Sequence, residues 1–245
     1  MTRLWVERLA AGRLAVGGAD YRYLARVLRL GPGAELTLFD GRGQEARARI
    51  ADIDGSRGEL VLEAEPPEAR QATAAIAITL LVALLKAEKM DLVVQKATEL
   101  GVARIVPVRA ARSVVRLDAA RATSRVARWR KIAREAARQC GRVGLPEVEE
   151  PRDLRDALVE APEDAWKAIF FEGARASSLR AALPAKPAKA VVLAIGPEGG
   201  FEEAEVELAR EAGFDVVGLG PRILRAETAA LAALAAVGYA LGDLA

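Results

Sequence analysis

Histidine is absent from this chain, and cysteine occurs once, at Cys140. These gaps exclude an intrachain disulfide, a histidine general base and the usual zinc ligand sets, so no metal is expected. Serine–histidine–aspartate and cysteine–histidine mechanisms are excluded with them. Chemistry must come from carboxylates, lysine, tyrosine, arginine, backbone dipoles or a bound cofactor. No apolar run approaches the ~20 residues that cross a bilayer, and the opening "MTRLWVERLA" lacks the basic-then-apolar layout of a signal peptide. A soluble cytoplasmic protein with no membrane partner is the expectation. Lysine is scarce too, with 7 lysines against 29 arginines. That bias suits bidentate phosphate contacts and stacking on bases. GC-rich coding, which also raises alanine, produces the same excess, and both readings stay open.

What is present suffices for one large domain or two modest ones: 245 residues, 52% hydrophobic and 29% charged, with a net charge of +2 that says little about partners. Residues 1–70 carry short alternating runs, "RLWVERL", "AELTLFDG", "EARARIADI" and "GELVLEAE", punctuated by turn signals such as Asp40-Gly41 and Asp54-Gly55. A small β-rich domain is expected there. Within it, "DYRYLARVLRL" has a helical pattern in which Asp20 caps, Leu24, Val27 and Leu28 form an apolar stripe, and Arg22, Arg26 and Arg29 lie near another face. Such a basic face suits docking on something anionic, though a solvated surface is the commoner explanation of such a pattern.

"EPPEARQAT", Glu65 to Thr73, has the composition of a linker, and residues 74–245 follow another pattern. "AIAITLLVALLK", "RIVPVRA", "WKAIFFEG", "AVVLAIG" and "FDVVGLG" are strand-like, and "KMDLVVQKATELG" is an amphipathic helix ended by Gly101. Strands alternating with helices imply an α/β domain with a mostly parallel sheet covered on both faces. A long helix is expected over Leu117 to Gln139, with Arg121, Arg125 and Arg128 on one face and Trp129 beside it. Arginines beside an indole suit RNA. A solvated face with Trp129 as a core anchor is the other reading.

Two glycine loops follow apolar strands. "IGPEGGF" lacks the G-x-G-x-x-G spacing of a dinucleotide site, and Glu198, Glu202 and Glu203 would oppose a pyrophosphate at the next helix. Acidic residues there also serve simple capping. "LGPRILRAETAA" packs Arg222, Arg225 and Glu227 between strand and helix. With both loops at one sheet edge, a single ligand could touch the two.

The segments "KMDLVVQKATELGV", "RWRKIAREAARQCGR", "IGPEGGF" and "LGPRILRAETAAL" resemble, in matching order over nearly the whole chain, the motifs of the bacterial 16S ribosomal RNA uridine-N3 methyltransferase family of the SPOUT class. The resemblance implies an N-terminal PUA-like β-barrel domain (1–70) that binds RNA and a C-terminal trefoil-knot methyltransferase domain (74–245). It also implies S-adenosylmethionine as cofactor, small-subunit 16S ribosomal RNA as partner, and a homodimer with active sites near the subunit interface. The family's cofactor pocket maps onto Ile195, Gly196, Pro197, Glu198, Gly199 and Gly200, then Leu219, Gly220, Ile223, Leu224 and Thr228, with Phe171 and Glu172 at an adjoining strand end. Catalysis is assigned to Arg225, as stabiliser of the developing anion, and to Glu198 and Glu227 as proton acceptors. RNA contact is assigned to Arg22, Arg26, Arg121, Arg125 and Arg128. The family pattern also leads one to expect a histidine near "VLRL". Tyr21 and Tyr23 stand there instead, where a tyrosine could stack a base. Two competing readings are a non-catalytic RNA-binding module of ribosome assembly and an enzyme using another nucleotide cofactor.

Overall fold

The computed structural model describes residues 2–70, 76–173, 176–185 and 188–244. The chain divides into two compact units, Met1–Thr73 with Ala137–Leu145, and Ala74–Ala136 with Pro146–Ala245. The end of the expected linker, residues 71–73, lies outside the described residues.

In the first unit, alternation of apolar and polar residues produces strands β1 (Arg3–Trp5), β2 (Gly12–Gly17), β3 (Glu35–Phe39), β4 (Gln44–Asp54), β5 (Glu59–Ala64) and β6 (Glu68–Ala69). They form one sheet in the order β1-β3-β4-β5-β2, with β6 also on β4. All pairings are antiparallel except β1 with β3. The register slips between Ile50 and Asp52 of β4. Such a bulge bends a strand, and here the curled sheet wraps a core of Leu4, Leu24, Leu36, Leu38, Ile50, Leu60 and Leu62.

The basic helix departs from the expected pattern. Helix α1 (Gly18–Tyr21) has Gly17 as its N-cap, so Asp20 sits inside the first turn, and the chain continues as a π-helical turn over Arg22–Val27. The Leu28 N–H donates to Tyr23 O at 2.9 Å, the i→i−5 bond that widens the turn. The periodicity therefore shifts. Tyr21 and Leu24 are buried, whereas Val27 is 69% exposed. Arg29 closes the turn at φ +54, and the Leu30 N–H returns to Leu24 O at 3.0 Å. Tyr21 is core, and the Arg138 guanidinium lies 3.9 Å from the Tyr23 ring centroid, so neither tyrosine is free to stack a base on both faces. Ala137–Leu145 joins this unit through that contact and through the Leu145 N–H, which donates to Gly41 O at 2.9 Å.

The second unit is a layered α/β structure. Strand β7 (Ala77–Ala83) leads to α2 (Ala87–Glu99) and β8 (Arg104–Arg109); then come α3 (Ala119–Cys140), β9 (Glu147–Val148), β10 (Arg152–Asp153) and α4 (Leu154–Val159). After β11 (Trp166–Phe170) follow β12 (Ser177–Ser178), α5 (Leu179–Ala182), β13 (Ala190–Ile195), α6 (Glu203–Glu211), β14 (Asp215–Gly218) and α7 (Ala226–Ala240). The sheet runs β10-β8-β7-β13-β11-β14-β12, with β9 also on β8, and every pairing is parallel. Both faces are covered, which explains why its strands are nearly all apolar. Ile78, Leu80 and Val82 pack on one face with residues of α2, α3 and α7. Leu81 and Ala83 pack on the other with Leu154 of α4 and Val206 of α6. Trp129, 2% exposed, belongs to the first of these cores, which settles it as an anchor and removes it as a base-stacking surface.

Candidate active site

Because β13, β11 and β14 are parallel neighbours in that order, the chain leaves all three at one edge of the sheet. The two glycine loops, after β13 and after β14, therefore flank the end of β11. A cleft opens there. Phe171 and Glu172 line it from just beyond the end of β11, and Leu219, Gly220, Ile223 and Leu224 line it from the loop after β14, joined by Arg222 and Ala229. These six sequence-expected residues are thus brought together.

Ile195, Gly196, Pro197, Glu198, Gly199 and Gly200 form the end of β13 and the loop after it, and Thr228 lies in the first turn of α7. Ile195 is core, 1% exposed. Gly200, at φ +70, lies so near Glu172 that a Cβ on it would fall 2.9 Å from Glu172 Oε1. The loop after β13 thus backs the Glu172 wall, and only glycine permits both the left-handed backbone and the approach. A Cβ on Gly196 would meet the buried Phe201 ring at 3.2 Å.

That loop is fastened on every side. Pro197 O accepts the Gly200 N–H at 2.9 Å, closing a turn. Glu202 and Glu205 form a capping box at the start of α6, and the other Glu205 oxygen accepts the Ala111 N–H at 2.8 Å. Arg112 donates to Gly199 O at 3.2 Å and pairs with Glu202 at 3.5 Å. The acidic helix start is capping, then, and it leaves that N-terminus no vacancy for a phosphate.

The loop after β14 is the opposite. Gly220 through Arg225 make no ion pair or side-chain hydrogen bond among the described residues, Ile223 is 82% exposed, and Arg222 and Arg225 are exposed. Arg225 is the N-cap residue of α7, with Glu227 in the first turn.

The carboxylates meet at Lys89, the first residue of the "KMDLVVQKATELGV" motif and one to which the motif alone gives no role. Lys89 Nζ, on the first turn of α2, is 3.2 Å from Glu198 and 3.4 Å from Glu227 Oε2. Glu227 Oε2 is shielded from solvent, and its contact with Lys89 is an ion pair outside hydrogen-bond geometry. Partial burial alone would raise the Glu198 pKa. Its own N–H, the Lys89 ammonium and the Lys86 N–H outweigh that and hold it below the usual carboxylate range. Lys89 in turn is raised, chiefly by its hydrogen bond to Glu198. No single-residue signal marks Lys89; only its position facing both loops does.

The arginines expected to meet RNA sort differently. Arg22 and Arg26 in the first unit are exposed and have no ion-pair partner among the described residues. On α3, Arg128 is engaged with Asp91 of α2 at 2.6 and 3.0 Å, Arg121 pairs with Asp118 at 3.4 Å, and Arg125 is half-buried without such a partner.

Comparison with known proteins decides the family. Residues 72–238 match the RNA methyltransferase domain, and residues 16–63, from β2 to β5, match the RNA methyltransferase PUA domain. The chain belongs to the RNA methyltransferase family. It is 32% identical over 245 residues to ribosomal RNA small subunit methyltransferase E of Bacillus subtilis, covering 98% of this chain and 94% of that one. Against the protein of the same description from Mycobacterium bovis it is 34% identical over 227 residues, 91% and 85% of the two chains. Among solved structures it superposes on a Neisseria gonorrhoeae ribosomal RNA small subunit methyltransferase E bound to S-adenosylmethionine, with TM-score 0.90 and 36% identity over 100% of both chains. A Legionella pneumophila methyltransferase in complex with the same cofactor gives TM-score 0.89 and 32% identity over 98% of both. The fold of this family member is accordingly the SPOUT trefoil-knot type with a PUA-like curled sheet.

Within such a methyltransferase the cleft suits an adenosine-bearing ligand. It has an aromatic and aliphatic wall, glycine backbone, one carboxylate at Glu172 and no phosphate-binding feature. None of the described helices is long and apolar enough to cross a membrane.

Proposed function

We propose that this protein transfers the methyl group of S-adenosylmethionine to N3 of a uridine in 16S ribosomal RNA, on an assembled or assembling 30S subunit. The observation that carries the reading is the cleft between β11 and the loop after β14. It has an apolar, glycine-rich lining without phosphate ligation, and Arg225, unpaired among the described residues, stands where its loop enters α7. A non-catalytic assembly module would need neither feature.

The transfer is an in-line displacement, so the cleft must hold the nucleophile behind the methyl carbon. When bound, S-adenosylmethionine supplies a methyl electrophile whose carbon–sulfur bond breaks with its electron pair retained by sulfur. Uridine N3 must first lose its proton. Arg225, uncommitted to any described carboxylate, stabilises the negative charge that develops on the uracil oxygens. Glu198 is held ionised by Lys89 and two backbone N–H groups, which makes it a weak base. Glu227 shares the Lys89 ammonium, but its Oε2 accepts no hydrogen bond, and it is taken as the acceptor of the N3 proton. Phe171, Leu219 and Leu224 exclude water from the adenine side, and Glu172 engages polar groups of the ligand.

The reading includes a homodimer and a cytoplasmic site of action, since ribosomes are assembled there. Support for the dimer is that α7, "AETAALAALAAVGYA", is apolar nearly all round, that Tyr239 on it is 72% exposed, and that Ile223 leaves one lip of the cleft open. RNA contact falls to Arg22 and Arg26 in the first unit and Arg121, Arg125 and Arg128 in the second. Arg128 is the weakest of these because Asp91 already occupies it.

Methylation and cofactor affinity measured separately test the roles. Arg225→Ala is expected to lower turnover by ~10²–10³ with S-adenosylmethionine affinity retained. Glu227→Gln is expected to cost more than Glu198→Gln. Wild-type turnover in Arg225→Ala and Glu227→Gln would overturn the assignment.

A further inference from the structure

Three segments distant in sequence converge on one ammonium group: the first turn of α2, the loop after β13 and the first turn of α7. Lys89 Nζ stands between Glu198 and Glu227, at 3.2 and 3.4 Å, and the three side chains are only 28%, 23% and 13% exposed. Most surface ion pairs contribute little because solvent screens them and both side chains are otherwise free. This one differs in that its partners belong to the two segments that flank the cleft. Glu198 precedes Gly200, which backs the Glu172 wall, and Glu227 lies on the helix whose Ala229 closes the opposite side. The backbone N–H of Lys86, the N-cap residue of α2, also favours the ionised form of the Glu198 carboxylate.

We infer that Lys89 is a positioning residue, the cation that joins the loop after β13 to the start of α7 and sets the spacing between the two sides of the cofactor cleft. Its described ion pairs are with Glu198 and Glu227 alone, and neither of these is in the cleft lining. Its action is indirect: it cancels two carboxylates that would otherwise repel one another and holds both segments to α2. Removing it leaves like charges facing across the joint, and the unfastened side of the cleft moves first.

The inference rests on the methyltransferase reading, and the experiment separates the two. S-adenosylmethionine affinity is measured by calorimetry for the wild type, Lys89→Met, Lys89→Arg and the double variant Lys89→Met/Glu198→Gln, with amide hydrogen exchange followed over residues 196–201 and 225–229. The expected result is a Kd raised about tenfold or more in Lys89→Met, with faster exchange in both segments. Lys89→Arg should stay within about threefold of wild type, because a cation of similar reach restores the joint. The double variant should recover part of the loss, because only one carboxylate then remains charged. Thermal unfolding confirms that each variant is folded; if Lys89→Met is not, the comparison of Lys89→Arg with the double variant carries the test. Wild-type affinity and unchanged exchange in Lys89→Met would overturn the positioning role. So would failure of the double variant to recover any affinity. A wild-type protein that does not bind S-adenosylmethionine would overturn the methyltransferase reading instead.

Discussion

The two glycine loops leave the same edge of one sheet, yet they are built in opposite ways. The loop after β13 is fastened by a turn, a capping box, Arg112, Lys89 and a glycine pressed against Glu172. The loop after β14 has none of these among the described residues, and it presents Arg222, Ile223 and Arg225 outward. The difference assigns labour. In the proposed reading, order in the first loop fixes one wall of the cofactor site before any ligand arrives, and the second keeps its charges uncommitted for the reacting base and its neighbouring phosphates.

Substitutions that exchange these characters should give graded effects. The largest is expected from Gly200→Ala. A side chain at φ +70 costs about 1–2 kcal/mol and presses on Glu172. S-adenosylmethionine affinity should fall by about tenfold with a lowered melting temperature, read by calorimetry and thermal unfolding. Gly220→Ala, at φ +99 but with open space around the Cβ position, should carry the backbone cost without the collision and so lose less affinity. Equal losses would dissolve the contrast between the loops.

Next come the arginines. Replacing Arg22, Arg26 or Arg222 by alanine should lower RNA affinity and reduce the salt slope of binding by about 1 for each phosphate no longer neutralised, without changing the melting temperature. Arg128→Ala should do the reverse. It strands Asp91, whose Oδ1 is already buried and unpaired, so stability falls while the salt slope moves less than for the unpaired arginines. The smallest effect is expected from Ile223→Ser, a few-fold rise in cofactor Kd together with weaker self-association by sedimentation. No change in self-association would remove Ile223 from the proposed subunit contact.

The joint at Lys89 also predicts a pH range. The folded-state pKa of Glu198 is lowered, so its contribution is complete above the unfolded carboxylate value and is lost as the pH falls through the folded one. Lys89 is raised, so its contribution is complete below the unfolded lysine value and is lost as the pH rises through the folded one. Cofactor affinity should therefore be flat between roughly pH 6 and 9, where neither group titrates. With no histidine in the chain, a steep change near pH 6.5 would point to groups outside this joint.

Much of the fold is legible in residues. Apolar alternation marks the curled sheet, near-continuous apolar runs mark the central parallel strands, and the two glycine loops do leave neighbouring strand ends of one sheet. What escapes is geometry set by tertiary contact. The π-helical turn over Arg22–Val27 moves Val27 to the surface, which a 3.6-residue period does not reveal. Strand β2, "GRLAVG", is short and glycine-bounded, and its pairing with β5 rather than its own pattern makes it a strand. The approach of the loop after β13 to Glu172 is likewise tertiary, because it depends on β11 lying between β13 and β14. Lys89 reads as one solvated charge in an amphipathic helix until α7 and the β13 loop close on it.

Primer extension on small-subunit RNA from a strain lacking this protein, before and after incubation of its 30S particles with the protein and S-adenosylmethionine, tests the central claim most directly. Methylation at N3 blocks the pairing edge of uracil. The account predicts one new stop, one nucleotide short of a uridine, that needs both protein and cofactor. Methyl incorporation with no stop, or a stop at a base other than uridine, would contradict it.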